Sequence, residues 1–206
     1  MNRLVVVCLA LSLVIIGCSG EPETPPEVQV SASEWQMIAP PDMNETQLAQ
    51  QELILSATNA LASEMMGELT AALDSGSAEQ AIGVCKTIAP SVAARISEQF
   101  GLEIGRTSHR LRNPDNLPPE WAESFVRDVV EEPTYVVGPG GELGALLPIR
   151  LKAECQMCHG PVETIDDDVM AAVKTSYPSD QAVGFAEGDL RGWFWIETPP
   201  GEKGEV

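Results

Sequence analysis

Two thiols and an imidazole fall within five residues, Cys155-Gln156-Met157-Cys158-His159. No other feature constrains this chain as much. A C-x-x-C-H pentad is the attachment signature of c-type haem. Each thiol can add to a porphyrin vinyl group, and the adjacent imidazole is then held under the iron, where a neutral ring nitrogen is a good axial ligand. Two other chemistries use such residues. Zinc needs a fourth ligand, with Cys85 or His109 as candidates, but the chain offers no second close pair. A redox dithiol opens a helix in a thioredoxin-like βαβ unit. The run before Cys155 contains Pro148 and shows no such unit. One covalent haem c is the expectation.

Covalent haem is attached outside the cytoplasmic membrane, and the N-terminus reads as an export signal. Met1-Asn2-Arg3 carries one positive charge, and Leu4 to Ile16 is nearly all apolar. That run is shorter than the roughly 20 residues a membrane span needs, and it suits a signal h-region. Ile15-Ile16-Gly17-Cys18 resembles a lipobox, which makes residues 1–17 a lipoprotein signal peptide and Cys18 the lipidated residue. Ser19, with no Asp after the cysteine, resembles the pattern sent to the outer membrane. The expected location is periplasmic, anchored to the membrane by lipid.

Five cysteines are present. Cys8 leaves with the signal, lipid accounts for Cys18 and haem takes Cys155 and Cys158. Cys85 is left over, either a small buried hydrophobe or a functional thiolate.

Acidic residues outnumber basic ones 31 to 12, for a net charge of -19. Such a chain repels nucleic acid and anionic membrane surfaces and suits a basic redox partner. Residues 18–44 are Pro-rich and read as a tether. Residues 45–198 read as one domain, and 199–206 as a flexible tail.

A helical stripe begins at Thr46, with Leu61, Met65, Leu69 and Leu73 every four residues and Leu55, Ala62 and Met66 widening it. Ser77 caps a second helix, with Gln80 three residues later as a capping box. Ala81, Val84, Cys85 and Ile88 share one face of it. Pro90 interrupts it, and a third helical segment ends at Gly101. Strands follow near 102–105, 134–137, 145–150 and 193–197, with a short helix opened by Pro119. Helices first and strands after indicate an α+β fold with an antiparallel sheet. Trp193 and Trp195 alternate on one strand face and read as core filling.

Several motifs in fixed order resemble the PAS-like c-type cytochrome family, which also occurs as the sensor region of bacterial signalling proteins. They are Ala81-Ile82-Gly83-Val84-Cys85 with Ala89-Pro90, Gly105-Arg106-Thr107-Ser108, Arg110-x-Arg112-Asn113-Pro114-x-Asn116-x-Pro118, Cys155-x-x-Cys158-His159-Gly160, Tyr177-Pro178-x-Asp180-x-Ala182-x-Gly184, and Glu187-Gly188-Asp189-Leu190-Arg191-Gly192. The resemblance spans roughly residues 45–197. It implies a PAS-like antiparallel sheet with packed helices and a long N-terminal helix. It also implies haem held by Cys155 and Cys158, with His159 on one side of the iron and Cys85 on the other. His109 departs from the family pattern and is the alternative to Cys85. PAS-like domains often pair through their first helix, so a homodimer fits the resemblance.

Arg106, Arg110, Arg112 and Arg191 stand out in so acidic a chain. The guanidinium fork matches haem propionates, and it serves equally to fix turns. The functional expectation is low-potential electron transfer. The alternative is a module that senses redox change, NO or CO and acts through a partner. A haem enzyme needs acid-base groups on an open face, and a chain with two histidines argues against one.

Overall fold

The computed structural model describes residues 35–201 apart from residue 75. The expected signal peptide, Cys18 and most of the expected tether lie outside the described residues. No described helix is long and apolar enough to cross a membrane.

The first helix, α1 (Glu45–Asp74), starts where Asn44 and Gln47 bond each other reciprocally. Asn44 Oδ1 accepts from Gln47 N–H and Gln47 Oε1 accepts from Asn44 N–H, both at 2.9 Å. Its N-terminal half buries Ile54, Ala57 and Leu61, spaced for one face. Leu55, expected on that stripe, is 43% exposed. Further along, Met65, Leu69 and Leu73 are only half-buried and line a cleft.

The chain then runs through α2 (Ala78–Gly83), a π-turn over Val84–Ile88, and α3 (Ala89–Phe100). Ser77 caps α2 by accepting from the Gln80 N–H at 3.3 Å, as its capping box predicts. Pro90 does not end the helical path. It has no N–H to give and its ring crowds the carbonyl of Lys86, so the turn before it widens. The Ala89 N–H reaches back five residues to the Val84 carbonyl. Gly101 closes α3 in the left-handed region at φ 67°.

Five strands form one antiparallel sheet in the order β1-β3-β4-β5-β2: β1 (Gln36–Met37), β2 (Glu103–Thr107), β3 (Thr134–Val137), β4 (Leu143–Arg150) and β5 (Leu190–Glu197). Three short helices complete the domain: α4 (Glu123–Arg127), α5 (Gln156–His159) and α6 (Asp167–Ser176). This is the expected α+β architecture. Residues 35–44 depart from their reading as tether. β1 pairs with β3, and Trp35 packs on Trp121 with ring centroids 5.5 Å apart. Two backbone-paired residues and one half-buried indole are enough to bring this segment into the fold, although its prolines suggest a linker.

Strand alternation sends side chains to two cores. Leu143, Ala145, Leu147 and Ile196 meet α1 and α3 on one face. Leu146, Trp193 and Leu190 meet Trp121 and Val126 on the other, with Trp195 packed at the margin. Trp193 and Trp195 therefore fill core, on the face opposite the cleft-lining Phe194. Gly105 lies opposite Trp195 in the register, and a Cβ there would stand 2.5 Å from the indole.

Ile54 is fully buried between α1 and the sheet. Replacing it with Ala removes packing that the rigid sheet cannot recover. The expected loss is about 2–5 kcal/mol, read as a lower urea midpoint at unchanged slope.

Candidate functional site

A cleft of about 560 Å³ opens between the C-terminal half of α1, the π-turn and the end of the sheet. Cys85, Cys155, Cys158 and His159 all line it. The two elements that carry them are 70 residues apart along the chain, and both are irregular. The π-turn carries Cys85, and a 3₁₀ turn leading into the one-turn α5 carries the pentad. Extra-wide turns are enriched at functional sites because they re-aim a side chain that a regular helix would keep on its own stripe. The three cysteines are free and half-buried.

His159 is prepared as a ligand. Its Nδ1 lies 2.7 Å from the Ala182 carbonyl oxygen. That oxygen can only accept, so the proton sits on Nδ1 and Nε2 keeps its lone pair. Burial holds the imidazole well below its ordinary value, and the cations Arg191 and Arg112 add to this. The ring is therefore neutral near pH 7, the form that binds metal. Backbone bonds clamp the segment. Gly184 N–H donates to the Gly160 carbonyl at 2.7 Å, and Phe185 N–H to the His159 carbonyl at 2.9 Å.

Arg112 holds this clamp in place. It pairs with Asp180 through Nε to Oδ1 at 3.1 Å and Nη2 to Oδ2 at 3.2 Å, with both side chains over nine-tenths buried. Nη2 also donates to the Cys158 carbonyl at 2.6 Å and the Ala182 carbonyl at 3.2 Å. Asp180 in turn accepts from the Ala182 N–H at 2.9 Å. The residue that orients His159 is thus itself held twice. Burial raises the Cys158 thiol above its ordinary value, partly offset by Arg112.

The four arginines separate by role. Arg110 does not line the cleft. It donates through Nε to the Gln181 carbonyl at 3.0 Å and through Nη2 to the Val183 carbonyl, and it stacks on Phe185 with Cζ 4.3 Å from the ring centre. Arg112 is fully engaged as above. Arg191 bonds Ser108 Oγ at 2.9 Å and the Arg110 carbonyl at 3.3 Å. Arg106 lines the cleft, and its side chain has no hydrogen bond or ion pair among the described residues. Burial lowers its guanidinium below the ordinary value, and the nearby Cys85 and Tyr177 act to raise it. Of the four, Arg112 alone has a carboxylate partner among the described residues, whereas Glu68, Asp74 and Glu154 stand on the cleft wall.

His109 stands elsewhere. Its ring meets Trp193 and Phe185 edge-on at 5.8 and 6.2 Å, and it does not line the cleft. The structure brings Cys85, not His109, to the same cavity as His159. Asp180, the Ala182 carbonyl and Ser108 lie within the quoted motifs, yet no reading of the sequence gave them a role. Their signal was Asp180-x-Ala182, a spacing that lets a carboxylate cap the N–H two residues on.

The donor set fits a c-type haem on its chemistry: two neighbouring thiols, a neutral imidazole with a free Nε2, a third thiol, and an unpaired guanidinium for a carboxylate. Removing Arg112 while leaving Asp180 buried should be costly. Arg112→Ala is expected to lose about 3–5 kcal/mol in chemical denaturation, because it strands a buried charge.

The profile of the Tll0287-like family matches residues 40–199. Among solved structures, the crystal structure of the cyanobacterial haem protein Tll0287 matches with a TM-score of 0.54 at 23% identity. The match covers 77% of this chain and 97% of that one. No curated protein matches the sequence.

Proposed function

The chain belongs to the Tll0287-like family, and from that membership and the cleft we propose that it is an exported monohaem c-type cytochrome that transfers electrons at low potential. One observation carries the reading: Cys85 and the pentad, 70 residues apart, line one cavity together with an unpaired arginine.

Cys155 and Cys158 would hold the macrocycle through thioethers, and His159 and Cys85 would take the two axial positions. When bound, the haem supplies a one-electron Fe(III)/Fe(II) couple. The chain's own residues do the rest. The Ala182 carbonyl sets the His159 tautomer and ring orientation, which keeps Nε2 available. Bound to the iron as thiolate, Cys85 would push electron density onto it and favour the oxidised form. Arg106 is the best candidate for a propionate, since Arg110 and Arg112 spend their donors on protein groups. Met65, Met66, Leu69 and Phe194 give the cleft an apolar wall.

The export signal and the lipobox at Cys18 support a lipid-anchored periplasmic protein, directed to the outer membrane. The net charge of -19 supports a basic redox partner.

The test is a reduced pyridine haemochrome spectrum of protein coexpressed with a haem-attachment system. A covalent c-type spectrum at one haem per chain is expected, and colourless protein refutes the reading. Cys85→Ala should alter the visible spectrum of the oxidised protein, whereas an unchanged spectrum removes Cys85 from the iron. Rapid CO or NO uptake by the native reduced protein would turn the reading towards a gas-responsive module.

A further inference from the structure

Arg191 occupies an unusual position behind the proposed axial ligand. In the β4–β5 ladder Ile149 faces Gly192 and Arg150 faces Leu190, so Arg191 is the extra, unopposed residue of a bulge. Bulges beside sites re-aim a side chain, and here the guanidinium enters the cleft wall. Its neighbour suits this path. At Gly192 (φ 158°) a Cβ would run into the Thr107 carbonyl. The guanidinium is then anchored. Nη1 donates to Ser108 Oγ at 2.9 Å and to the Arg110 carbonyl at 3.3 Å, and Cζ lies 5.5 Å from the centre of the Phe185 ring. Ser108 Oγ itself donates to the Arg191 carbonyl at 2.7 Å, which closes the anchor on both main chain and side chain.

Arg191 Nε lies 3.3 Å from His159 Nδ1, the nitrogen that already donates to the Ala182 carbonyl. Both Arg191 and Ala182 cannot be hydrogen-bond partners of one nitrogen in one tautomer. The carbonyl has no proton and sits closer, so Nδ1 carries the hydrogen and Arg191 meets the ring as a charge. Burial, with Arg112 and Arg106 nearby, pushes Arg191 down to about 10, which leaves it cationic at neutral pH.

We propose that Arg191 is a positioning residue that raises the reduction potential through His159: an anchored positive charge at the outer edge of the axial imidazole opposes the extra positive charge of oxidised iron. The inference rests on the proposed haem ligation by His159.

Spectroelectrochemistry on holoprotein tests it. Arg191→Gln should shift the midpoint negative, raising the oxidised-to-reduced ratio at fixed poise about tenfold, or about 59 mV for one electron. Arg191→Lys keeps the charge and should stay nearer wild type. Ser108→Ala loosens the anchor and should shift the midpoint in the same direction by less. Equal potentials for wild type and Arg191→Gln overturn the inference, as does a fall in Arg191→Lys as large as in Arg191→Gln. Bands that report loss of an axial ligand in Arg191→Gln also overturn it, since the residue would then be holding a ligand. If Arg191→Gln accumulates no holoprotein, Ser108→Ala decides, and an unchanged or positive shift there overturns the inference. A wild-type protein without covalent haem fails the functional reading instead, so the two failures are distinct.

Discussion

The site depends on one buried ion pair. Arg112 and Asp180 lie 68 residues apart in sequence and over nine-tenths out of water. Taken alone, such a pair is weak evidence of stability, because desolvating two charges offsets much of their attraction. Its importance here is geometric. The spare donors of Arg112 reach the Cys158 and Ala182 carbonyls, and the spare capacity of Asp180 takes the Ala182 N–H. One pair thereby registers the loop after β2, the α5 turn and the loop after α6. The Ala182 carbonyl, held in this way, specifies the tautomer of His159.

Two local irregularities aim the remaining groups. The π-turn carries Cys85 on the cleft wall beside Ala81, Val84 and Ile88, and the β5 bulge turns Arg191 into that wall. A regular strand would keep Arg191 in the periodicity of its neighbours. Both departures have a visible chemical origin. Pro90 lacks the N–H that a regular helix would use, and at Gly192 there is no room for a side chain beside Thr107. Around them the scaffold is ordinary, with a sheet that separates two apolar cores.

Much of the scaffold was legible from periodicity and capping chemistry. The stripe of α1, the Ser77 cap, the Gly101 stop and four of the strands follow from local pattern. β1 was hidden, because two paired residues in a Pro-rich segment leave no alternation to read. α6 was hidden as well. Its Asp166 cap is followed by a helix that buries only Val173 within a small cluster, so the apolar stripe is faint. Leu55 shows the opposite error, a residue at apolar spacing that α1 leaves exposed among the described residues.

By itself the sequence determined the chemistry of the pentad, since two thiols and an imidazole within five residues are bound to lie together by chain connectivity. It also determined the α+β order of elements, because helix and strand periods are local properties. The meaning of the other thiol and of the four arginines was left to the tertiary structure. Cys85 reaches the pentad across 70 residues, and Arg110, Arg112 and Arg191 find partners 32 to 83 residues away. A guanidinium has the same sequence signature whether it caps carbonyls, pairs with a buried carboxylate or stands free in a cleft. Only the long-range contacts that bury it choose among these.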